Sequence, residues 1–231
     1  MFFTLKSYLK FILKSRNQHG VHSPFVYNLV TKCFYSKTPS ALVKKHINFK
    51  NRLLQNKENI TVLDFGAGSK IFKGNQREIA KVAKHAGITN KRAKLLIRLV
   101  NYINPKTILE LGTSLGLSTN AMRTGSSTTK ITTLEGCPET AKVAKQQFEH
   151  FNLKGIKVIV GDFKNTLETT LSNTTFDIVF FDGNHQKDAT LNYFKACLKS
   201  VHNETVFVFD DIHWNPEMEA AWQEIKEHPK V

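Results

Sequence analysis

Cysteine is scarce in this chain of 231 residues, and long apolar runs are lacking. The three cysteines, Cys33, Cys137 and Cys197, are far apart and form no C-x-x-C pair, a pattern typical of reduced thiols in a cytoplasmic protein. No apolar run approaches the roughly 20 residues of a transmembrane helix. Lys6 and Lys10 interrupt the partly apolar N-terminus, so it lacks the continuous apolar core of a signal peptide.

Acidic residues are scarce in the first hundred positions. Residues 1–100 contain 20 Lys and Arg against 3 Asp and Glu, an excess of +17, whereas residues 101–231 contain 13 against 16, an excess of −3. The basic part therefore ends near Asn101. We predict two units: residues 1–100 as a basic, mainly helical N-terminal cap, and residues 101–231 as an α/β domain.

The segment 108–116 (ILELGTSLG) is the most informative motif of the chain. A short apolar run ends in Glu110 and then turns through Gly112 and Gly116, as a buried strand does before a helix. A dinucleotide fingerprint requires G-x-G-x-x-G, which disfavours an NAD enzyme here. The spacing resembles motif I, E/D-x-G-x-x-x-G, of the class I S-adenosylmethionine (SAM) methyltransferases. A tight strand–helix turn without a ligand is the alternative.

From Pro105 onward, apolar strand patterns alternate with helical patterns. This alternation predicts a Rossmann-like, doubly wound, mostly parallel sheet with helices on both faces. The predicted strands are 106–111, 130–135, 156–160, 176–181 and 204–209. The predicted helices are 117–124, 138–151, 164–171, 186–200 and 216–228.

Each predicted strand has an acid at or near its carboxyl end, where open α/β sheets bind ligands. A single such acid is often a loop or helix-cap residue, but five in order favour a ligand site. The five acids are Glu110, Glu135, Asp162, Asp182 and Asp210. Glu135 lies about 20 residues beyond the glycine turn, where a Rossmann-like sheet places its ribose-binding carboxylate.

The resemblance to class I SAM methyltransferases implies a SAM site over these strand ends. It implies that Glu135 binds the ribose and that Asp162 meets the adenine amino group. The expected cofactor-binding residues are Glu110, Gly112, Thr113, Gly116, Glu135, Asp162 and Asp182. The class I fold also implies a C-terminal β-hairpin, which is missing from this sequence. We therefore expect the apolar strand 204–209 to form a sheet edge, which would lower solubility or pair with another chain in a homodimer.

The segments Asp182-Gly-Asn-His185 and Asp210-Asp211-Ile-His-Trp resemble the catechol and caffeoyl-CoA O-methyltransferases. The resemblance implies that Asp182, Asp210 and Asp211 bind Mg²⁺ or a similar cation, and that His185 and Asp182 are catalytic, with His185 as general base. Two positions depart from the family pattern: Asp211 replaces an amide, and His185 replaces a lysine. An imidazole can accept a proton near pH 7, so the proposed role of His185 is retained.

The resulting hypothesis is a SAM-dependent transferase that O-methylates a small hydroxylated molecule. The basic cap favours an RNA methyltransferase as the alternative. However, the sequence contains no recognisable RNA-binding module and no N/D-P-P-Y/F tetrapeptide. A non-enzymatic SAM-fold binding protein is a third alternative.

Within the cap, the predicted helices are 2–15, 24–33, 40–54, 76–86 and 89–103. The first is amphipathic and is expected to be a lid on its own domain, with an anionic membrane surface as the alternative. The segment 62–69 (VLDFGAGS) also resembles motif I. We predict no strand after it and interpret it as a structural turn of the cap.

Overall fold

The computed structural model describes residues 2–15, 17–66, 68, 72–172 and 174–231. The first hundred residues contain α1 (Phe2–Lys14), α2 (Pro24–Asn28), α3 (Ser40–Gln55), β1 (Asn59–Thr61), β2 (Gln76–Glu78), α4 (Ile79–His85) and α5 (Asn90–Ile103). The remainder contains β3 (Thr107–Leu111), α6 (Leu117–Gly125), β4 (Lys130–Glu135), α7 (Pro138–His150), β5 (Ile156–Val160), α8 (Phe163–Leu171), β6 (Ile178–Phe181), α9 (Lys187–Cys197), β7 (Val206–Phe209) and α10 (Pro216–Lys226).

The large sheet has five parallel strands in the order β5-β4-β3-β6-β7, which confirms the predicted Rossmann-like fold. Strand β7 pairs with β6 and forms one edge of the sheet. Strand β6 begins at Ile178, later than predicted. Just before it, the Asp177 carboxylate accepts hydrogen bonds from the backbone N–H groups of Lys106 and Thr107 at 2.5 and 2.9 Å. This carboxylate therefore fastens the start of β3 to the residue before β6.

Apolar side chains cover both faces of the sheet because successive strand residues point to opposite sides. Ile108 belongs to the core under the cap helices, and its neighbour Leu109 belongs to the core with α8, α9 and α10. Both cores are continuous across several strands. Burial on both faces explains why these strands are apolar runs rather than alternating ones.

The cap differs from the prediction at two elements. Residues 76–78 form β2, which pairs antiparallel with β1. The predicted helix 76–86 was therefore wrong at its start, because α4 begins at Ile79. The prediction that no strand follows the segment 62–69 was also wrong. After α2, residues 29–34 form a π-helix rather than continuing an α-helix. The apolar stripe of α5 packs on α6, which seats the end of the cap on the sheet domain.

Helix α1 contacts α10 through a polar side chain. The buried Ser7 hydroxyl donates to Glu219 Oε2 at 2.7 Å, while Leu5, Leu9 and Ile12 are about half exposed. The prediction that α1 would bury its apolar face against its own domain is therefore wrong for these three side chains. None of the described helices is long and apolar enough to cross a membrane.

Candidate active site

The glycine turn after β3 brings two loops into close contact. Gly112 has φ +106°, and a Cβ at this position would overlap the carbonyl oxygen of Asp182. Gly116, the N-cap of α6, has φ +80°, and a Cβ there would overlap the Phe148 ring. Gly112 therefore permits the approach of the β3 and β6 loops, and Gly116 permits packing of α6 on α7.

A cavity of about 510 Å³ lies at the carboxyl ends of the strands, a volume typical of small-molecule sites. Loops of the sheet domain form one wall and the cap forms the other. The sheet-domain wall includes Gly112, Ser114, Glu135, Gly136, Asp162, Asp182, Asn184, His185, Asp210, Asp211 and Trp214. The cap wall includes Leu63, Phe65, Gly66, Phe72, Arg77, His85, Ile88 and Arg92.

Glu135 and Asp162, two of the predicted cofactor residues, line this cavity and have fixed side chains. The Glu135 carboxylate accepts hydrogen bonds from Ser114 N at 2.6 Å and from Cys137 N at 2.9 Å. Burial raises the pKa of Glu135, and the bonds from Cys137 and Ser114 oppose that rise. The Asp162 side chain caps α8 by accepting from Lys164 N at 3.0 Å. Asp162 can therefore serve as the N-cap of α8 and line the cavity at the same time.

Three other predicted cofactor residues, Glu110, Thr113 and Gly116, do not line the cavity. Glu110 is fully buried and accepts hydrogen bonds of 2.5 to 2.7 Å from Ser118, Thr119 and Thr133. Thr113 is also buried, 2.5 Å from the Thr133 hydroxyl. We infer that these residues support the glycine turn from behind, which corrects the expectation of direct cofactor contact.

Burial raises the pKa of Glu110 to about 7, against the lowering effect of its three hydroxyl donors. Because the folded state holds this proton up to a higher pH than the unfolded chain, the contribution of Glu110 to stability falls as pH rises from about 4.5 to 7.

We expect Glu110→Gln to remove up to about 3 kcal/mol of this pH dependence, since one pKa unit corresponds to about 1.4 kcal/mol. Urea unfolding at pH 5 and pH 8 measures it, with the exposed Glu149→Gln as the matched control. The same loss of stability between the two pH values in Glu110→Gln and in the wild type would contradict this role.

Three acids and one arginine meet on the opposite side of the cavity. Burial raises the pKa of Asp182 well above its usual range, and the Asp210 and Asp211 carboxylates raise it further. Burial and Asp211 also raise the pKa of Asp210, against the lowering effect of Arg92. Arg92 Nη1 lies 2.9 Å from Asp210 Oδ1 and 3.2 Å from Asp211 Oδ1. A cap residue thus neutralises part of the acidic cluster.

The loops that hold His185 and Asp211 adopt an uncommon backbone conformation. Asn184, His185 and Asp211 have φ of +72°, +45° and +49°, a region that non-glycine residues seldom occupy. Such conformations cost of order 1–3 kcal/mol each and cluster at functional sites. The His185 ring lies against Trp214, with centroids 5.5 Å apart, and His185 Nε2 is 4.0 Å from Asp211 Oδ2. The side chain is therefore fixed beside the acids.

The predicted cation ligands do not form one set. Among the described residues, Asp182, His185 and Asp211 have ligand atoms within 4.8 Å of one another, and Asp210 is outside this group. Both Asp210 oxygens and one Asp211 oxygen face Arg92 Nη1 at 2.9 to 3.2 Å. The predicted Asp182, Asp210 and Asp211 set is therefore not arranged around a common point, because Arg92 lies between the carboxylates of the pair.

The individual residues of the cap wall were not predicted from the sequence, although the cap was expected to cover the carboxyl ends of the strands. In the VLDFGAGS segment, Phe65 packs against Gly136 beside Glu135, and the Gly66 backbone approaches that of Asn184. Ala67 and Ser69 lie outside the described residues. Leu63, Phe65 and Gly66 of this segment therefore line the cavity, and the interpretation of the motif as a structural turn rather than a cofactor loop stays a prediction. One sequence signal could have placed this segment at the cavity: it resembles a ligand-binding glycine loop, and it lies in a region otherwise predicted to be helical.

Comparison with known proteins agrees with this fold. Residues 109–212 match the family described as "Methyltransferase domain". The chain is 28% identical over 127 residues to a catechol O-methyltransferase from Mycobacterium tuberculosis, a match that covers 54% of this chain and 56% of that protein. The chain thus spans little more than half the length of this curated relative.

Two solved structures share the fold. An SAH-bound methyltransferase from Podospora anserina matches with a TM-score of 0.60 and 20% identity, over 90% of this chain and 89% of that one. An O-methyltransferase from Bacillus cereus, in complex with SAH, matches with a TM-score of 0.57 and 20% identity, over 89% and 86%.

The strand order, the glycine turn and these matches all point to the methyltransferases. Residues 109–212 match a methyltransferase domain, and the chain shares the fold of the two SAH-bound methyltransferase structures.

Proposed function

We propose that this protein transfers a methyl group from SAM to a hydroxyl group of a small molecule. The observation that supports it best is the position of His185, which lies in the cavity wall between Asp182 and Trp214. SAM supplies a methyl group on a positively charged sulfur. The chain must then hold the acceptor hydroxyl in line with that methyl and remove its proton.

The cofactor is proposed to lie between the two walls, over Gly112. The absence of a Cβ at Gly112 keeps the turn open, and Glu135 still has lone pairs for the two ribose hydroxyls. Phe65 of the cap stands opposite, against Gly136, and provides an apolar surface for a flat ring. Asp162 and Asp182 supply further acceptors at the two sides of the cavity.

The acceptor is proposed to occupy the part of the cavity between the acidic cluster and the cap. His185 would accept the hydroxyl proton, with Trp214 and Asp211 keeping its ring in place. Ile88 and Phe72 of the cap add apolar surface. A small aromatic or aliphatic alcohol or phenol fits this mixture of apolar walls and one base.

The remaining expectations stay predictions. These are a homodimer, a cytoplasmic location and the cap as a unit of residues 1–100. Assistance by a divalent cation is a further prediction, which the position of Arg92 beside Asp210 and Asp211 disfavours. RNA is the alternative acceptor, supported by the charge of the cap. A screen with labelled SAM against catechols and RNA separates the two acceptor classes. Label transfer to RNA alone would contradict the small-molecule proposal.

We expect Glu135→Ala to weaken SAM binding about 10–150-fold, because hydrogen bonds to a charged group contribute about 1.5–3 kcal/mol. Calorimetric titration with SAM measures the effect. The exposed Glu149→Ala on α7 is the matched control and should bind like the wild type. Unchanged affinity in a folded Glu135→Ala variant would refute the ribose assignment.

A further inference from the structure

Arg92 has a position that the family resemblance does not account for. Its Nη1 atom lies 2.9 Å and 3.1 Å from the two oxygens of Asp210 and 3.2 Å from Asp211 Oδ1. One nitrogen is thus surrounded by three carboxylate oxygens from the pair that the resemblance assigns to a divalent cation. The side chains of Asp210 and Asp211 are mostly buried, at 16% and 26% exposure.

The backbone holds Arg92 at this place. It lies in the first turn of α5, where the helix dipole disfavours a cation. The Thr89 hydroxyl caps this turn by accepting from Arg92 N at 3.3 Å, and Ile97 and Val100 of the same helix are buried against α6. The packed helix α5 therefore places an arginine in its first turn, where a positive charge is unfavourable unless acidic groups lie nearby.

A divalent ion bound by Asp182, His185 and Asp211 would also lie close to the positive charge of Arg92. Asp182, His185 and Asp211 could offer one ligand atom each, but Asp211 already pairs with Arg92 through Oδ1. An ion bound to Asp211 Oδ2 would lie one carboxylate away from the guanidinium, and like charges at that separation repel. Three groups also leave at least half of the six to eight ligand positions of Ca²⁺ unfilled by protein.

We propose that Arg92 is a built-in counter-cation that takes the place of a divalent metal ion at Asp210 and Asp211. The inference rests on the proposed function, because it describes how the same methyl-transfer site is charged. The guanidinium holds both carboxylates, keeps them from coordinating an ion and places a positive charge near the acceptor hydroxyl. Methyl transfer then proceeds without metal, and the hydroxyl proton passes to His185.

Titration with Mn²⁺ tests the charge arrangement without any methyl acceptor. We expect Arg92→Met, which keeps much of the length of the side chain but not its charge, to bind one Mn²⁺ at least tenfold more tightly than the wild-type chain does. Lys91→Met removes a charge from the same helix at an exposed position and should behave like the wild type. Arg92→Lys restores a cation and should bind Mn²⁺ more weakly than Arg92→Met. Equal Mn²⁺ binding by the wild type and Arg92→Met would overturn the proposal.

Once an acceptor is found, a chelator tests the same inference through activity. We expect the wild-type rate to persist in excess EDTA, and the Arg92→Met rate to fall at least tenfold and to recover in part with added Mn²⁺ or guanidinium. A wild-type rate that EDTA abolishes and Mn²⁺ restores would overturn the role of Arg92 while leaving methyl transfer intact. The two proposals can therefore fail separately.

Discussion

Replacing His185 with Asn is expected to slow methyl transfer about 10²–10⁴-fold, the usual effect of removing a positioned general base. Asn tolerates the positive φ of this position better than Ala, so the backbone of the loop should be retained. SAM affinity should change little, because the base is proposed to contact the acceptor. Single-turnover rates with labelled SAM and calorimetry with SAM measure the two effects separately.

His213→Asn provides the matched control for this experiment. His213 lies three residues after Asp210 and pairs with Glu219 at 3.4 Å, and it is not part of the cavity wall. Its substitution should leave the rate near that of the wild type. A His185→Asn protein with the wild-type rate would remove the base assignment.

Replacing Gly112 with Ala is expected to destabilise the protein by about 2–6 kcal/mol and to abolish measurable SAM binding. A residue held in a conformation that favours glycine costs about 1–3 kcal/mol, and forcing a Cβ into a packed contact costs about 1–3 kcal/mol more. The overlap is with the backbone of Asp182, which cannot rotate away as a side chain could. Urea unfolding and calorimetry measure the two losses.

Gly74→Ala is the control for Gly112→Ala. A Cβ at Gly74 has no neighbour within 4 Å, and its φ is not in the positive range. This variant should unfold and bind SAM like the wild type. Wild-type stability in Gly112→Ala would contradict the close approach of the β3 and β6 loops.

The sheet domain could be predicted because a short stretch of sequence specifies each of its strands and helices. Each strand is a short apolar run of sequence, and parallel strands bring their carboxyl ends to one side. Glu135, Asp162 and Asp182 therefore fall in the cavity wall as their positions in the sequence indicate. Boundaries were less accurate: β6 begins at Ile178 rather than at residue 176, although the Asp177 backbone N–H still donates to Thr107 O at 3.1 Å.

The rest of the site depends on contacts between distant parts of the chain. The pairing of Arg92 with Asp210 joins residues 118 positions apart, and no local pattern indicates it. Phe65 lines the cavity because a short β1–β2 hairpin carries its loop over Gly136, and that hairpin was not predicted. Glu110 has the motif I position, but three hydroxyl donors hold it inside the core.

We propose that the cavity over Gly112 and Glu135 is a SAM site in a methyltransferase fold. Calorimetric titration of the whole chain with SAM, its demethylated product and NAD is the decisive measurement. We expect SAM and its product each to bind once per chain and to compete with one another, and we expect no binding of NAD. Saturable binding of NAD, with none of SAM or its product, would contradict it.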